Sequence, residues 1–112
     1  MIQFRNTVEW GPFQLRFDEG LLLVSGVRCE LTRMQERLLK RLLRGAGSVV
    51  TNEELWAEFG VSGPMNTANI RVHIHALRQR LGKDGSHIIT IPSLGYGLGV
   101  EQRPDRRKSA ER

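Results

Sequence analysis

A single cysteine, Cys29, serves the whole 112-residue chain, so no disulfide can close within it. That suits a reducing compartment, and the expected role of Cys29 is that of a small buried apolar side chain on a strand. No apolar run reaches about 18 residues, the length a membrane-spanning helix needs. The opening M-I-Q-F-R-N-T-V-E-W has no basic-then-apolar layout of the kind that marks a secretory signal. There is no internal repeat and no low-complexity tract. A hydrophobic share of 39% with mixed charge excludes disorder over most of the length. This length makes one domain with a small core and a short tail.

Acids are scarce in one place. Residues 1–60 hold 8 Lys/Arg and 8 Asp/Glu, whereas residues 61–112 hold 9 Lys/Arg and 4 Asp/Glu. The net charge of +5 therefore falls entirely in the second half. A one-sided basic surface is the footprint of a polyanionic partner. A membrane surface is the weaker fit, because no exposed Trp/Phe/Leu face accompanies the charge.

Within that half, residues 66–81 read N-T-A-N-I-R-V-H-I-H-A-L-R-Q-R-L and contain no acid at all. At 100° per residue, Ile70, Ile74, Leu77 and Leu81 form one narrow apolar stripe. Val72, His75, Ala76 and Gln79 occupy the opposite face, and Asn69, Arg71, His73, Arg78 and Arg80 the flanks. An ordinary solvated face would mix charge signs for i, i+4 pairing. Cations at the edges and slim groups at the centre are what a helix entering a DNA major groove needs. The bland alternative is a surface helix that happens to carry no acid.

The rest of the chain gives this helix a setting. Phe13, Leu15 and Phe17 alternate with polar residues, Leu21–Val24 follows a Gly20 turn, and Val27, Cys29 and Leu31 alternate again. With an earlier strand in 2–10, residues 1–31 predict an antiparallel β-meander of three or four strands. Thr32 with Gln35 is a capping box opening a helix over about 32–44, with Leu38, Leu39, Leu42 and Leu43 as its buried stripe. Val49-Val50 is a short apolar link. Thr51 with Glu54 is a second box, opening a helix over about 52–59 with Leu55, Trp56 and Phe59 inward. Asn66 or Thr67 caps the third helix, 67–81, which ends at Gly82, and 83–86 is a turn. Residues 87–100 predict a β-hairpin with Pro92-Ser93 near its tip, Pro92 fitting an edge or the loop. Residues 102–112 are a basic tail expected to be disordered.

Meander, helix, short helix, basic helix and hairpin together describe an α+β winged helix-turn-helix, with the third helix in the major groove and the wing on adjacent backbone or minor groove. L-T-R-M-Q-E-R-L-L (31–39), V-V-T-N-E-E-L (49–55), N-I-R-V-H-I-H-A-L-R-Q-R-L-G (69–82) and I-T-I-P-S-L-G-Y-G-L (89–98) occur in this order. On these segments the chain resembles the OmpR/PhoB-type DNA-binding domain, the output module of many bacterial response regulators, over about residues 13–99. The resemblance implies that Val72 packs on thymine methyls, that His73 and Thr90 contact phosphates, that Arg78 lies near the backbone, and that Gly95-Tyr96 is the wing pair, its tyrosine a packing anchor or a contact. The chain departs from the pattern at Ala68, Ala76, Pro92 and Gly97, where arginines are common, and at Arg71, where an acid is usual. A sequence preference is therefore not inherited. Asn69, Val72, His75, Ala76 and Gln79 are the expected base contacts, pointing to an A·T-containing site. Thr67, Arg71, His73, Arg78, Arg80, Lys83 and Thr90 are the expected phosphate contacts, and Pro92, Ser93 and Tyr96 the wing residues.

The expected function is sequence-specific binding of double-stranded DNA by a cytoplasmic, nucleoid-associated transcriptional regulator. The resemblance implies homodimers on direct repeats, with RNA polymerase or another regulator as a further partner. The family's phosphoacceptor domain does not precede Met1, so the chain is either an excised output domain or a stand-alone regulator controlled by abundance, a partner or oligomerisation. The alternative is a winged-helix protein-interaction module without sequence-specific DNA binding, which would expose a larger apolar patch. No cofactor, metal or enzymatic activity is expected. His73 and His75 point about 200° apart on a helix and cannot share an ion. G-Y-G-L-G (95–99) has neither the Lys-Ser/Thr pair nor the following helix of a phosphate loop. Asp84, Ser86 and His87 crowd one turn without an oxyanion hole.

Overall fold

The computed structural model describes residues 7–16, 20–45 and 47–99. Expectations for 1–6 and 100–112, for Phe17 as the third member of the first strand alternation, and for Asp18 and Glu19 in the turn before Leu21 fall outside them. The N-terminal meander is four antiparallel strands in sequential order: β1 (Thr7–Trp10), β2 (Phe13–Arg16), β3 (Leu21–Val24) and β4 (Val27–Arg28). Phe13 pairs with Val24 and Leu15 with Leu22, and these four form the sheet's buried face. The third alternation shrinks to the two residues of β4. Val27 lies in the outer strand of the sheet with 68% of its surface exposed, and Cys29 and Leu31 follow β4 rather than continuing it.

Helix α1 (Arg33–Gly45) begins at the predicted capping box, with the Gln35 amide N–H donating to Thr32 Oγ1 (3.1 Å) and the Thr32 N–H to Gln35 Oε1 (3.0 Å). Its four stripe leucines are all buried. Helix α2 (Asn52–Ala57) opens at the second box, Thr51 with Glu54. It is shorter than expected: Glu58, Phe59 and Gly60 donate to the carbonyls three residues back, tightening the last turn out of α-geometry. Helix α3 (Thr67–Leu81) starts at Asn66, whose side-chain oxygen accepts from the Asn69 N–H at 3.0 Å. Between α3 and the wing, the expected turn at 83–86 is a 3₁₀ segment, Gly82–His87.

The second sheet has the order β5-β7-β6, built from β5 (Val50–Thr51), β6 (Ile88–Ile91) and β7 (Gly95–Leu98). Strand β5 is what the sequence presented as a mere apolar link. Its pairing of Val50 with Tyr96 and Thr51 with Gly95 fastens the wing to the start of α2. The core gathers α1, the inner faces of both sheets and the stripe of α3, in which Ile70, Ile74 and Leu77 are 0% exposed. His87 stands edge-on to Trp10 (6.2 Å) and Phe13 (5.9 Å), tying the meander to the root of the wing. Cys29 is half-buried. Burial pushes its thiol up, against the opposing pull of Arg80 and with a further rise from Glu30.

Candidate nucleic-acid interface

The stripe that buries Ile70, Ile74, Leu77 and Leu81 fixes what α3 shows to solvent. Ala68, Arg71, Val72, His75 and Gln79 are exposed on the opposite face, while Asn69, His73, Ala76 and Arg78 are half-buried at its margins. Val72 leaves 62% of its surface in water. An apolar β-branched side chain at the centre of a polar helix face gains nothing from water and fits a methyl-bearing groove. The helix is about 22 Å long at 1.5 Å per residue, enough to lie across a major groove.

Next to that face is a cleft of about 560 Å³. Met65, Thr67 and Arg71 line it from the α3 side, Thr90, Ile91, Pro92, Ser93 and Tyr96 from the wing, and Asn52 and Glu53 from the start of α2. Five residues that the sequence assigned to phosphates or the wing, and a sixth, Tyr96, thus border one space. Tyr96 is 7% exposed, so it acts mainly as the packing anchor of the wing. Asn52, Glu53 and Met65 had not been anticipated. Their capping box was visible, but the β5–β7 register that carries α2 to the wing was not. Arg71 makes no hydrogen bond or ion pair among the described residues and is the cation of this cleft; Glu53 is its acid.

The wing turn follows from its residues. The Leu94 N–H donates to the Ile91 carbonyl at 3.0 Å, with Pro92 second in the turn and Ser93 third at φ 70°. Proline then positive φ is the type II pattern. The Leu94 carbonyl accepts from the Asn52 N–H at 2.8 Å, so the tip is docked on α2 rather than projecting alone. The Leu94 side chain is 54% exposed beside it, a surface residue that the sequence reading passed over.

Three assigned side chains have partners of their own. His73 Nδ1 lies 2.9 Å from the Asn69 carbonyl, which can only accept, so Nδ1 carries the proton. Only a doubly protonated His73 ring could then donate to a phosphate through Nε2. Its ring also stands edge-on to Phe59 at 5.0 Å. Arg78 donates from Nε and Nη2 to the Ile88 carbonyl and from Nη2 to Thr90 Oγ1. Arg80 donates from Nε to the Glu30 carbonyl at 2.7 Å, at the junction of β4 and α1. Lys83 and His75 are exposed. On α1, by contrast, three of the five cations face acids: Lys40–Glu36 (3.4 Å), Arg41–Glu54 (3.3 Å) and Arg37–Glu58 (3.8 Å). Such pairs contribute at most about 1 kcal/mol each, and they offset those three cations, whereas no acid lies on α3 itself. Among the described residues no group of three His, Cys, Asp or Glu could hold a metal ion, and no helix is long and apolar enough to cross a membrane.

Comparison with known proteins agrees with this geometry. The family described as "Transcriptional regulatory protein, C terminal" matches residues 26–98. The response regulator protein PmrA of Pseudomonas aeruginosa is 34% identical over 88 residues, which are 76% of this chain and 39% of that protein. The chain thus spans well under half the length of this curated relative. The DNA-binding domain of CpxR from E. coli superimposes with a TM-score of 0.70 at 32% identity, covering 83% of this chain and 95% of that one. The Klebsiella pneumoniae RstA DNA-binding domain, crystallised in complex with the RstA box, gives 0.74 at 20% identity, covering 85% and 98%. With most of its length matched, and with three helices between an N-terminal sheet and a C-terminal hairpin, the chain belongs to the transcriptional regulatory protein C-terminal family, the winged-helix DNA-binding domains of the OmpR/PhoB type.

Proposed function

We propose that the chain reads duplex DNA sequence with α3 in the major groove, while the wing grips the neighbouring backbone. The observation that carries this reading is the single cleft in which Thr67 and Arg71 of α3 face Thr90 and Ser93 of the wing, beside an exposed helix face without acids. A phosphate strand in that cleft would meet one arginine and three hydroxyls, those of Thr67, Thr90 and Ser93, and would set the register in which the exposed face reaches base edges. Asn69, Val72, His75, Ala76 and Gln79 are the proposed readers. Asn and Gln suit adenine and Val72 and Ala76 suit thymine methyls, so the site is proposed to contain A·T pairs. Arg71, Thr67, Thr90, Lys83 and a protonated His73 are the proposed phosphate ligands. RstA, which shares this fold, binds its own DNA box, and that supports a duplex partner here. A homodimer on direct repeats, a further contact to RNA polymerase or another regulator, and a cytoplasmic, nucleoid-associated location complete the proposal.

Selection from random duplex DNA tests it. Enrichment of one motif, repeated at fixed spacing, is the expected result; a library that emerges unenriched, or an affinity indifferent to salt, defeats the reading. Val72→Ala is expected to relax the preference at one base pair by on the order of 1 kcal/mol, and an unchanged motif would show that Val72 does not face bases.

A further inference from the structure

Strand β6 is an edge. Among the described residues, the order β5-β7-β6 leaves one side of it without a strand partner, and antiparallel alternation decides which groups point there. The Gly99 N–H donates to the His87 carbonyl at 2.9 Å, so His87, Ile89 and Ile91 turn their polar groups toward β7. The groups of Ile88 and Thr90 therefore face outward. An uncovered edge carbonyl next to the core is a liability that folds cover. Here the cover is Arg78, reaching across from α3. Its Nε and Nη2 both donate to the Ile88 carbonyl, at 3.1 and 2.7 Å. Nη2 also donates to Thr90 Oγ1 at 2.9 Å, and the guanidinium carbon lies 5.8 Å from the centre of the Tyr96 ring. Three of its five N–H groups are thus held inside the molecule.

This geometry is costly to use for a phosphate and well suited to something else. A hydroxyl that accepts from Arg78 keeps its own hydrogen for a second acceptor. Thr90 is exposed and lines the cleft between helix and wing. We propose that Arg78 is a positioning residue: it locks β6 to the recognition helix and presets the Thr90 hydroxyl as a donor toward a backbone phosphate, so that helix and wing meet the duplex as one rigid surface. The proposal rests on the DNA reading above. It gives Arg78 a role different from the direct phosphate contact expected from the sequence.

The test uses the full chain and a duplex carrying the sequence recovered by selection. Arg78→Lys keeps the charge but cannot hold two bonds on one carbonyl and a third on Thr90, because a lysine is a point donor without a fork. Arg78→Lys and Arg78→Met are both expected to lose roughly ten-fold in affinity, the upper end of the scale for ordering one long side chain on binding. The slope of log affinity against log salt is expected to stay at its wild-type value in both. Arg71→Ala, the control, is expected to flatten that slope by about one unit. Thr90→Val is expected to weaken binding in the wild-type chain and to add nothing in the Arg78→Lys background. Circular dichroism confirms folding before each titration. The proposal is overturned if Arg78→Lys binds like wild type while Arg78→Met flattens the slope by about one unit, because Arg78 is then a phosphate contact. It is also overturned if Arg78 and Thr90 substitutions add, if neither Arg78 variant changes affinity, or if Arg78→Lys fails to fold, which would make the contact part of the core. Failure of the wild-type chain to bind any selected duplex would instead defeat the DNA reading itself.

Discussion

At Gly95 the backbone of β7 passes so close to β5 that a Cβ would collide with the Val50 carbonyl oxygen and crowd the Thr51 Cα. Backbone on both sides leaves nothing that can give. Gly95→Ala is expected to destabilise by about 3 kcal/mol, the upper range for overpacking, and to release the wing from α2. Thermal denaturation checks the first effect; lost exchange protection at the Asn52 amide, which donates to Leu94, checks the second. Two residues away the sign reverses. Ser93 holds φ at 70° without the freedom of glycine, and positive φ costs an ordinary residue about 1–2 kcal/mol. Ser93→Gly relieves that cost and gives part of it back as unfolded-chain entropy. A net gain of about 0.5–1 kcal/mol is expected, measured as a rise in the denaturant midpoint; a fall would mean that the Ser93 side chain stabilises the turn. Neither position is unusual as a residue type. Gly and Ser in a hairpin were readable as turn chemistry, but which of them is crowded and which strained depends on a strand 40-odd residues earlier.

Elements followed local signals closely wherever a local signal carried them. Both capping boxes and the leucine stripe of α1 are short-range patterns, and each is present as read. The N-terminus of α3 is of the same kind. Asn66 Oδ1 holds the Asn69 N–H, so Asn66→Ala is expected to cost about 1 kcal/mol and to fray the turn bearing Thr67 and Asn69, with Asn66→Ser restoring most of it. Chemical denaturation reads the stability, and no change on Asn66→Ala would mean that packing alone fixes the helix start. What stayed hidden was long-range. Strand β5 is two residues whose pairing partner, β7, lies more than 40 positions away, so no periodicity could reveal it. The 3₁₀ segment after α3 presses Gly85 against the Arg78 backbone, a packing decision rather than a propensity. The arginines illustrate the same divide. Sequence placed Arg71, Arg78 and Arg80 alike on the flanks of one helix; only the fold shows that Ile88, Thr90 and Glu30 engage two of them and that Arg71 lies in the cleft.

For the whole molecule the question is where the charge of +5 does its work. The ion pairs with Glu36, Glu54 and Glu58 offset three of the five cations of α1. On α3, Arg78 spends three N–H groups and Arg80 one on acceptors within the molecule. Five of the 17 Lys and Arg residues, Arg103, Arg106, Arg107, Lys108 and Arg112, lie beyond the wing, against Glu101, Asp105 and Glu111. A segment rich in basic residues, with one amide (Gln102) and one small apolar side chain (Ala110), adds affinity mainly through counterion release, at a slope of about 0.9 per phosphate neutralised. Removing residues 102–112 is therefore expected to weaken binding to every duplex by a similar factor and to flatten the salt dependence, while the motif recovered by selection stays the same. Titrations of the full and shortened chains on selected and scrambled duplexes measure all three quantities. Equal loss on both duplexes assigns the tail to the backbone and sequence discrimination to α3 and the wing. A loss confined to the selected duplex would mean that the tail reads bases, and the division of labour drawn from the cleft would have to be redrawn.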